Sequence, residues 1–252
     1  MLWINGPDEC RATAGPGRRV ITEGRHVRKV FQAELHQVGD ELIQIATLVR
    51  AAVEKAAASF ENADVELAED VITADARIDF LQTELDERAI DILARQGPVA
   101  SDLRMIVGAL RMSTSLERMG DLARHIAQLA RLRYPQQVSA ESLTGTFREM
   151  ARLDSDIAGA VVDLLDTRDL AHASHIQQLK GRINELHRSV FDAVGDPSWQ
   201  ESAARTADVV LASRYFERFA DHGVSVSRKV TYLVTGEWDA DAVDSRVGGD
   251  GA

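Results

Sequence analysis

The sequence predicts an all-α protein made of two tandem three-helix bundles, and three observations support this prediction. Apolar residues recur at steps of three and four along six long segments, which is typical of helices that bury one face. The strict alternation that marks half-buried strands is absent. Segments of the second half resemble segments of the first half in the same order, which indicates an internal repeat.

The first segment has the clearest helical pattern. Its apolar residues form one stripe: Phe31, Leu35, Val38, Leu42, Ile45, Val49, Val53, Ala56 and Phe60. Prolines mark three later helix boundaries, at Gly97-Pro98, Tyr134-Pro135 and Asp196-Pro197, because proline interrupts a continuing helix. The predicted helices are 28–59, 63–95, 99–133, 139–167, 169–194 and 199–235.

The third helices carry the strongest repeat signal. The segment LERMGDLARHIAQLARLRY at 116–134 aligns with FERFADHGVSVSRKVTYLV at 216–234. The alignment of the first helices pairs Phe31 with Phe147, and that of the second helices pairs Ala76 with Gly181. We therefore divide the folded part into a first repeat, 27–135, and a second repeat, 136–236.

Both ends of the chain differ in composition from the segments between them. Residues 1–26 are rich in Gly and Pro and lack periodicity, and 237–252 combine Gly with several acids. We predict a disordered N-terminal extension and a disordered acidic tail. Residues 1–26 are also candidates for a segment outside the natural protein, with Val27 as an alternative start.

Composition narrows the class of function. A net charge of −11 disfavours binding to nucleic-acid phosphates. One cysteine excludes a disulfide framework, which fits a reducing cytoplasm. No apolar run is long enough to span a membrane, although peripheral association stays open. Because the common catalytic and nucleotide-binding motifs are also missing, we predict a cytoplasmic protein that is not an enzyme.

Each third helix contains a pair of carboxylates four residues apart. The pairs are Glu117 with Asp121 and Glu217 with Asp221, and this spacing places both members on one helix face. Acids four residues apart are common by chance in a chain with 40 acids. The position of a pair on its helix is therefore more informative than its occurrence. We predict an inward stripe that continues into the first pair: Leu103, Val107, Leu110, Thr114, Glu117 and Asp121.

Two neighbouring carboxylates on a partly buried face need a counter-charge. Arg118 and Arg218 can supply it by reaching round the helix, which would make the acids structural. The alternative is a metal ion bound by oxygen ligands, for which Asp75 and Asp79 on the second helix offer a matching pair.

The second repeat is less suited to a metal than the first. Lys180 and Asn184 stand in the places of the acidic pair Asp75 and Asp79. A lysine there repels a cation, although it can itself pair with Glu217. Three histidines of this half are weaker candidates for ligands: His172, His175 and His222. At the start of the third helix, Asp102 and Arg104 are interpreted as capping and pairing residues.

The chain resembles the PhoU family of bacterial phosphate-uptake regulators. The resemblance rests on LARQGPVASDLRMIVGALRMSTSLERMGDLARHIAQL at 93–129, RYFERFADH at 214–222 and the closing VTYLVTGE. It implies two three-helix bundles and, in some members, metal clusters bound through E(D)xxxD motifs. The implied first site is Asp75, Asp79, Glu117 and Asp121, and the implied second site is Glu217 and Asp221.

The resemblance also implies a function. A family member is expected to be a homodimeric adaptor between the ATPase subunit of the phosphate ABC transporter and a sensor histidine kinase, repressing the phosphate-starvation response. The implied cofactor is a divalent or trivalent metal ion such as Mg, Mn, Fe or Zn. The alternative hypothesis is a metal-sensing bundle in which cation occupancy is itself the signal.

Overall fold

Six long α-helices follow one another along the chain in the computed structural model, which describes the backbone of residues 20–237 and the side chains of residues 30–237. The helices are α1 (Val20–Asn62), α2 (Val65–Gln96), α3 (Ala100–Arg133), α4 (Thr144–Thr167), α5 (Leu170–Gly195) and α6 (Ala203–Thr235). A short 3₁₀ turn, Glu141–Leu143, precedes α4. The described residues contain no strand, which confirms the predicted all-α class.

The helix ends follow the local sequence. Asp64 and Asp169 cap α2 and α5, and each side chain accepts a hydrogen bond from a backbone N–H of the first turn. Gly97 ends α2 in the left-handed conformation, with φ of 52°, which glycine adopts at little cost. The predicted breaks at Pro98, Pro135 and Pro197 all fall between helices.

Helices α1, α2 and α3 contact one another, and so do α4, α5 and α6. The two bundles meet where α1 contacts α4 and where α3 contacts α6. A group of aromatic rings joins three of these helices, with Phe60 of α1 between Phe147 of α4 and Phe216 of α6 at centroid distances of 5.2 and 5.8 Å. The predicted α1 stripe lies in this continuous core, with Phe31 at its edge.

The two repeats align differently in their first helices than the sequence suggested. The caps Asp64 and Asp169 are equivalent, and the buried Leu42 then corresponds to the buried Phe147. The pairing of Phe31 with Phe147 was therefore wrong by three helical turns. It failed because every apolar stripe of period 3.6 matches itself again after 11 residues.

Helix α1 begins at Val20, earlier than the predicted position 28. Residues 20–26, which we assigned to the disordered extension, are therefore helical. They contain no proline, and Gly24 alone costs a helix only about 1 kcal/mol, so nothing in the segment forces a helix end. The rest of that extension, 1–19, and the predicted tail, 238–252, lie outside the described residues.

The predicted inward stripe of α3 was also wrong. Leu103 and Val107 are 41% and 38% exposed, and the buried face instead runs through Ile106, Ala109 and Leu116. Adjacent helical positions differ by about 100°, so a face centred on those residues turns Leu103 and Val107 outward. Within the described residues, no helix combines the length and apolarity that crossing a membrane requires.

Candidate functional site

The acids of the first repeat meet where α2 packs against α3. Asp75 is buried on α2, and Glu117 and Asp121 are half-buried at the edge of the core-facing surface of α3. Arg124 joins the two helices, because its Nε lies 2.5 Å from Oδ2 of Asp75 and its NH2 donates to Oδ1 of Asp121 at 2.5 Å. The guanidinium therefore bridges α2 and α3.

Arg118 provides a second positive charge from the solvent side. Its NH1 donates to Oδ2 of Asp121 at 3.1 Å, and its Nε lies 3.4 Å from Glu117. Arg118 thus reaches round the helix to the acids. This is the arrangement required by the hypothesis that arginine, and not a metal ion, supplies the counter-charge. Asp79 is exposed and takes part in no ion pair with any described residue.

The four carboxylates act on one another electrostatically. Burial raises the pKa of Asp75, and the charges of Asp79 and Asp121 raise it further against the opposing effect of Arg124. Burial and Asp121 likewise raise the pKa of Glu117. Four acids face two guanidinium groups, so this cluster keeps an excess of negative charge.

The first cluster has suitable donor chemistry for a hard cation, but not the required arrangement. All four side chains offer carboxylate oxygens, which such metals prefer. In the described part of the chain, however, no three Asp, Glu, His or Cys residues are placed to hold a metal ion. The Arg124 guanidinium lies between Asp75 and Asp121. A metal ion would have to displace it.

In the second repeat, a lysine lies between the carboxylates. Lys180 Nζ of α5 is 2.9 Å from Oε1 of Glu217 and 2.8 Å from Oδ1 of Asp221, and it donates to the backbone carbonyl of Glu217 at 3.0 Å. Arg214 donates to the other oxygen of Glu217 at 2.5 Å. The pair between Lys180 and Glu217 is one that the sequence suggested.

Asp154 of α4 belongs to the same cluster, and sequence reasoning missed it. It is fully buried, and neither carboxylate oxygen has a hydrogen-bond partner among the residues that the structure describes. Burial raises its pKa well above the ordinary value, Glu217 adds to the rise, and Lys180 opposes it. The signal in the sequence was an acid within an apolar run, since Asp154 is flanked at helical spacing by Met150 and Ile157.

Arg124 is the other site residue that the sequence pattern was not used to predict. Its position three residues after Asp121 places it on the same side of α3, so the i,i+3 rule would have identified it. Among the histidines suggested as substitute ligands, His175 is exposed and His172 half-buried on α5. Burial and Arg218 lower the pKa of His222, which favours its neutral form.

Glycines allow close helix contacts beside both acidic pairs. A Cβ on Gly120 would lie 3.0 Å from Cδ1 of Ile78 on α2. A Cβ on Gly223 would lie 2.6 Å from Cγ2 of Ile157 on α4, closer than carbon atoms can approach. These two glycines thus face neighbouring helices.

Comparison with known proteins gives consistent results for sequence and fold. The family model described as "PhoU domain" matches residues 42–130 and 147–230. The chain is 36% identical over 215 residues to the phosphate-specific transport system accessory protein PhoU homolog 1 of Mycobacterium leprae, covering 85% of this chain and 97% of that protein. It is 36% identical over 210 residues to PhoU homolog 2 of Mycobacterium tuberculosis, covering 83% and 99%.

Two crystal structures share the fold. The phosphate transport system regulatory protein PhoU from Streptococcus pneumoniae matches with a TM-score of 0.73 and 26% identity, covering 82% of this chain and 98% of that one. PhoU from Pseudomonas aeruginosa matches with a TM-score of 0.72 and 27% identity, covering 82% and 100%.

Proposed function

The chain belongs to the PhoU family of phosphate-transport accessory and regulatory proteins, and from this premise we propose that it is a non-enzymatic cytoplasmic adaptor that represses the phosphate-starvation response. Its proposed partners are the ATPase subunit of the phosphate ABC transporter and a sensor histidine kinase. The observation that carries the proposal is that both repeats match along nearly the full length of phosphate-transport accessory proteins.

The physical character of the chain supports this role. Its six helices pack into two joined bundles, and the buried acids Asp75 and Glu217 form ion pairs with Arg124 and Lys180 of the same chain. Such a protein can act by favouring one conformation of a partner, which requires a binding surface but no reactive group. With a net charge of −11 it is suited to peripheral contact with basic protein surfaces and not to nucleic acid.

We also propose that a metal ion has at most an accessory role. Its candidate ligands are Asp75, Asp79, Glu117 and Asp121, and binding there competes with Arg124. At the second site, Glu217 and Asp221 already hold Lys180. The metal-sensing alternative is not favoured, because the related proteins are named for phosphate transport. Homodimerisation remains part of the proposal.

The direct experiment combines binding with a cellular readout. Purified full-length protein should retain the transporter ATPase subunit and the cytoplasmic part of the sensor kinase in a pull-down. Deletion of the gene should raise alkaline phosphatase expression in phosphate-rich medium. Loss of both interactions, or unchanged expression after deletion, would contradict the adaptor role.

A chelation control separates the adaptor from the metal-sensing alternative. The pull-down is repeated with protein that has been exhaustively treated with EDTA and then with protein to which Mn²⁺ is restored. Equal partner affinity in both samples is expected for the adaptor. A tenfold dependence on the added metal would favour the sensor.

A further inference from the structure

Four cationic side chains gather where α3 packs against α6. Arg104 and Arg111 belong to α3, and Arg228 and Lys229 belong to α6. None of the four forms an ion pair with a carboxylate in the part of the chain that the structure describes. Arg104, which we had interpreted as a pairing residue, is exposed. This patch is notable in a chain with a net charge of −11.

Three of these cations line a groove with apolar walls. Arg104, Arg111 and Lys229 share it with Leu103, Val107, Gly108 and Tyr232, and the groove has a volume of about 330 Å³. That volume lies at the lower end of the range of about 300–1,000 Å³ typical of small-molecule sites. A Cβ on Gly108 would lie 3.2 Å from Cδ1 of Leu233, so the helices approach closely beside the groove.

Lys229 is more deeply buried than Arg104 and Arg111, the two arginines that line the groove. It is half-buried, donates to the carbonyl of Ser225 at 3.0 Å and lies 3.4 Å from the hydroxyl of Ser115. Both partners are neutral, so no described group compensates its charge. Burial lowers the pKa of Lys229, and the charges of Arg111 and Arg228 lower it further.

A partly buried ammonium among other cations is unfavourable, and an anion in the groove would offset that cost. Phosphate suits this arrangement better than a single carboxylate does. A phosphate carries more negative charge than a carboxylate. Its oxygens match the fork of N–H donors on the guanidinium group of an arginine, and the ammonium group of a lysine binds it as a point charge. The apolar walls would contact a less polar part of the same molecule.

We propose that the groove between α3 and α6 binds a small phosphorylated molecule, with its phosphate held by Arg111 and Lys229 and its apolar or aromatic portion against Val107 and Tyr232. Arg104 lies on the wall of the same groove and adds to the positive potential. This ligand site goes beyond the adaptor function and does not depend on it, since binding is a property of the purified chain.

The test is calorimetric titration of the full-length protein with three probes: adenosine monophosphate, inorganic phosphate and adenosine. We expect the monophosphate to bind at least ten times more tightly than inorganic phosphate and adenosine to give no measurable heat. Binding should weaken as salt is raised, because the contact is between opposite charges.

Variants assign the binding to the groove. Arg111→Gln with Lys229→Met should raise the Kd for adenosine monophosphate at least tenfold, because each charge-assisted hydrogen bond to an anion contributes strongly. The matched control is Arg131→Gln with Lys55→Met, which removes the same two charges from exposed ion pairs elsewhere. The control should bind as the wild-type protein does. Arg111→Gln alone changes only an exposed side chain and should give the same direction of effect in a folded protein.

Three results would overturn the proposal. The first is that none of the probes binds the wild-type protein. The second is equal weakening in the groove and control variants, which would indicate a general effect of net charge. The third is inorganic phosphate binding as tightly as adenosine monophosphate, which would leave the apolar walls without a role.

Discussion

The two bundles contain equivalent acidic pairs, but the cation that joins the second and third helices comes from the third helix in one bundle and from the second helix in the other. In the first bundle, the second helix contributes the acid Asp75 and the third helix contributes Arg124. In the second bundle, the position of Asp75 is Lys180 and the position of Arg124 is Val224. The positive and negative members of the pair between helices have changed places, while the carboxylates four residues apart are kept.

This difference shows that the acidic pairs impose a physical requirement that either helix can meet. Two carboxylates on a half-buried face repel each other, so a cation must lie between the helices. The neutralising cation is more deeply buried in the second bundle than in the first. The side chain of Lys180 is 11% exposed, and that of Arg124 is 25% exposed. It also has Asp154 where the first bundle has the buried Val49.

The largest effect is expected from removal of the cation in the second bundle. Lys180→Met leaves Glu217 with Arg214 alone and leaves Asp154 without an opposing charge, so the free energy of unfolding should fall by about 3–5 kcal/mol. Arg124→Met in the first bundle should cost less, since that site is more open to water. Chemical denaturation of both variants measures the difference. Equal losses would mean that burial does not distinguish the two bundles.

The second prediction concerns Asp154, the buried acid whose equivalent in the first bundle is Val49. Asp154→Val, which installs the residue found at the equivalent position 49, should raise the free energy of unfolding by about 1–4 kcal/mol at pH 7. Because burial raises the pKa of Asp154 in the folded state, this carboxyl binds its proton more strongly in the folded than in the unfolded chain, a difference that appears above about pH 4. The contribution of Asp154 to wild-type stability therefore falls as the pH rises from about 4 through its folded pKa.

The pH dependence provides the decisive measurement for Asp154→Val. The stabilising effect should be smallest near pH 4 and should grow as the pH rises, because the variant lacks the group that the folded state keeps protonated. Asp75 and Glu117, whose pKa values are also raised, maintain a residual slope. The control Asp156→Val changes an exposed acid on the same helix and should leave the slope unaltered. A constant gain at all pH values would contradict the prediction.

The third prediction tests the close helix contact beside the second acidic pair. Gly223→Ala places a methyl group against Ile157 of α4 and should cost about 1–3 kcal/mol of unfolding free energy. Gly181→Ala on α5 meets no atom within 4 Å and should instead stabilise the helix by about 0.5–1 kcal/mol. Thermal melting of the two alanine variants is sufficient, and a stabilised Gly223→Ala would show that the helices can separate at no cost.

The smallest expected effect concerns metal affinity in the first bundle. Arg124→Gln removes the guanidinium that lies between Asp75 and Asp121, so Mn²⁺ should bind at least tenfold more tightly, equivalent to about 1.4 kcal/mol. Calorimetric titration measures this change, and Arg131→Gln on the same helix is the control. In a triple variant that also carries Glu117→Gln and Asp121→Asn, the gain should disappear. An unchanged affinity of Arg124→Gln for Mn²⁺ would show that these acids are not metal ligands.

The sequence predicted the helices well where local signals determine them. The stripe of α1 is buried as expected because that helix turns one face to its own bundle and to α4. Helix α3 packs against α1, α2 and α6, so its buried face is wide and rich in small residues, and apolarity alone did not locate it.

The candidate sites were predictable only in part. Glu117, Asp121, Asp75 and the pairing of Lys180 with Glu217 follow from spacing along helices and from the repeat. The contact of Arg124 with Asp75 and the burial of Asp154 depend on how α2, α4 and α5 are rotated in their bundles, which local periodicity does not fix. The role of a metal at the first site remains a prediction.

The transposed charges also disfavour an exchange of second helices between the two bundles. If α5 packed on α3, Lys180 would meet Arg124 of that helix. If α2 packed on α6, Asp75 would meet Glu217 and Asp221, with Arg214 of α6 left as the cation that pairs with Glu217. Either exchange juxtaposes like charges at a partly buried position, which is costly. The second helices of the two repeats are similar in sequence, and this inversion of charge distinguishes them where each contacts a third helix.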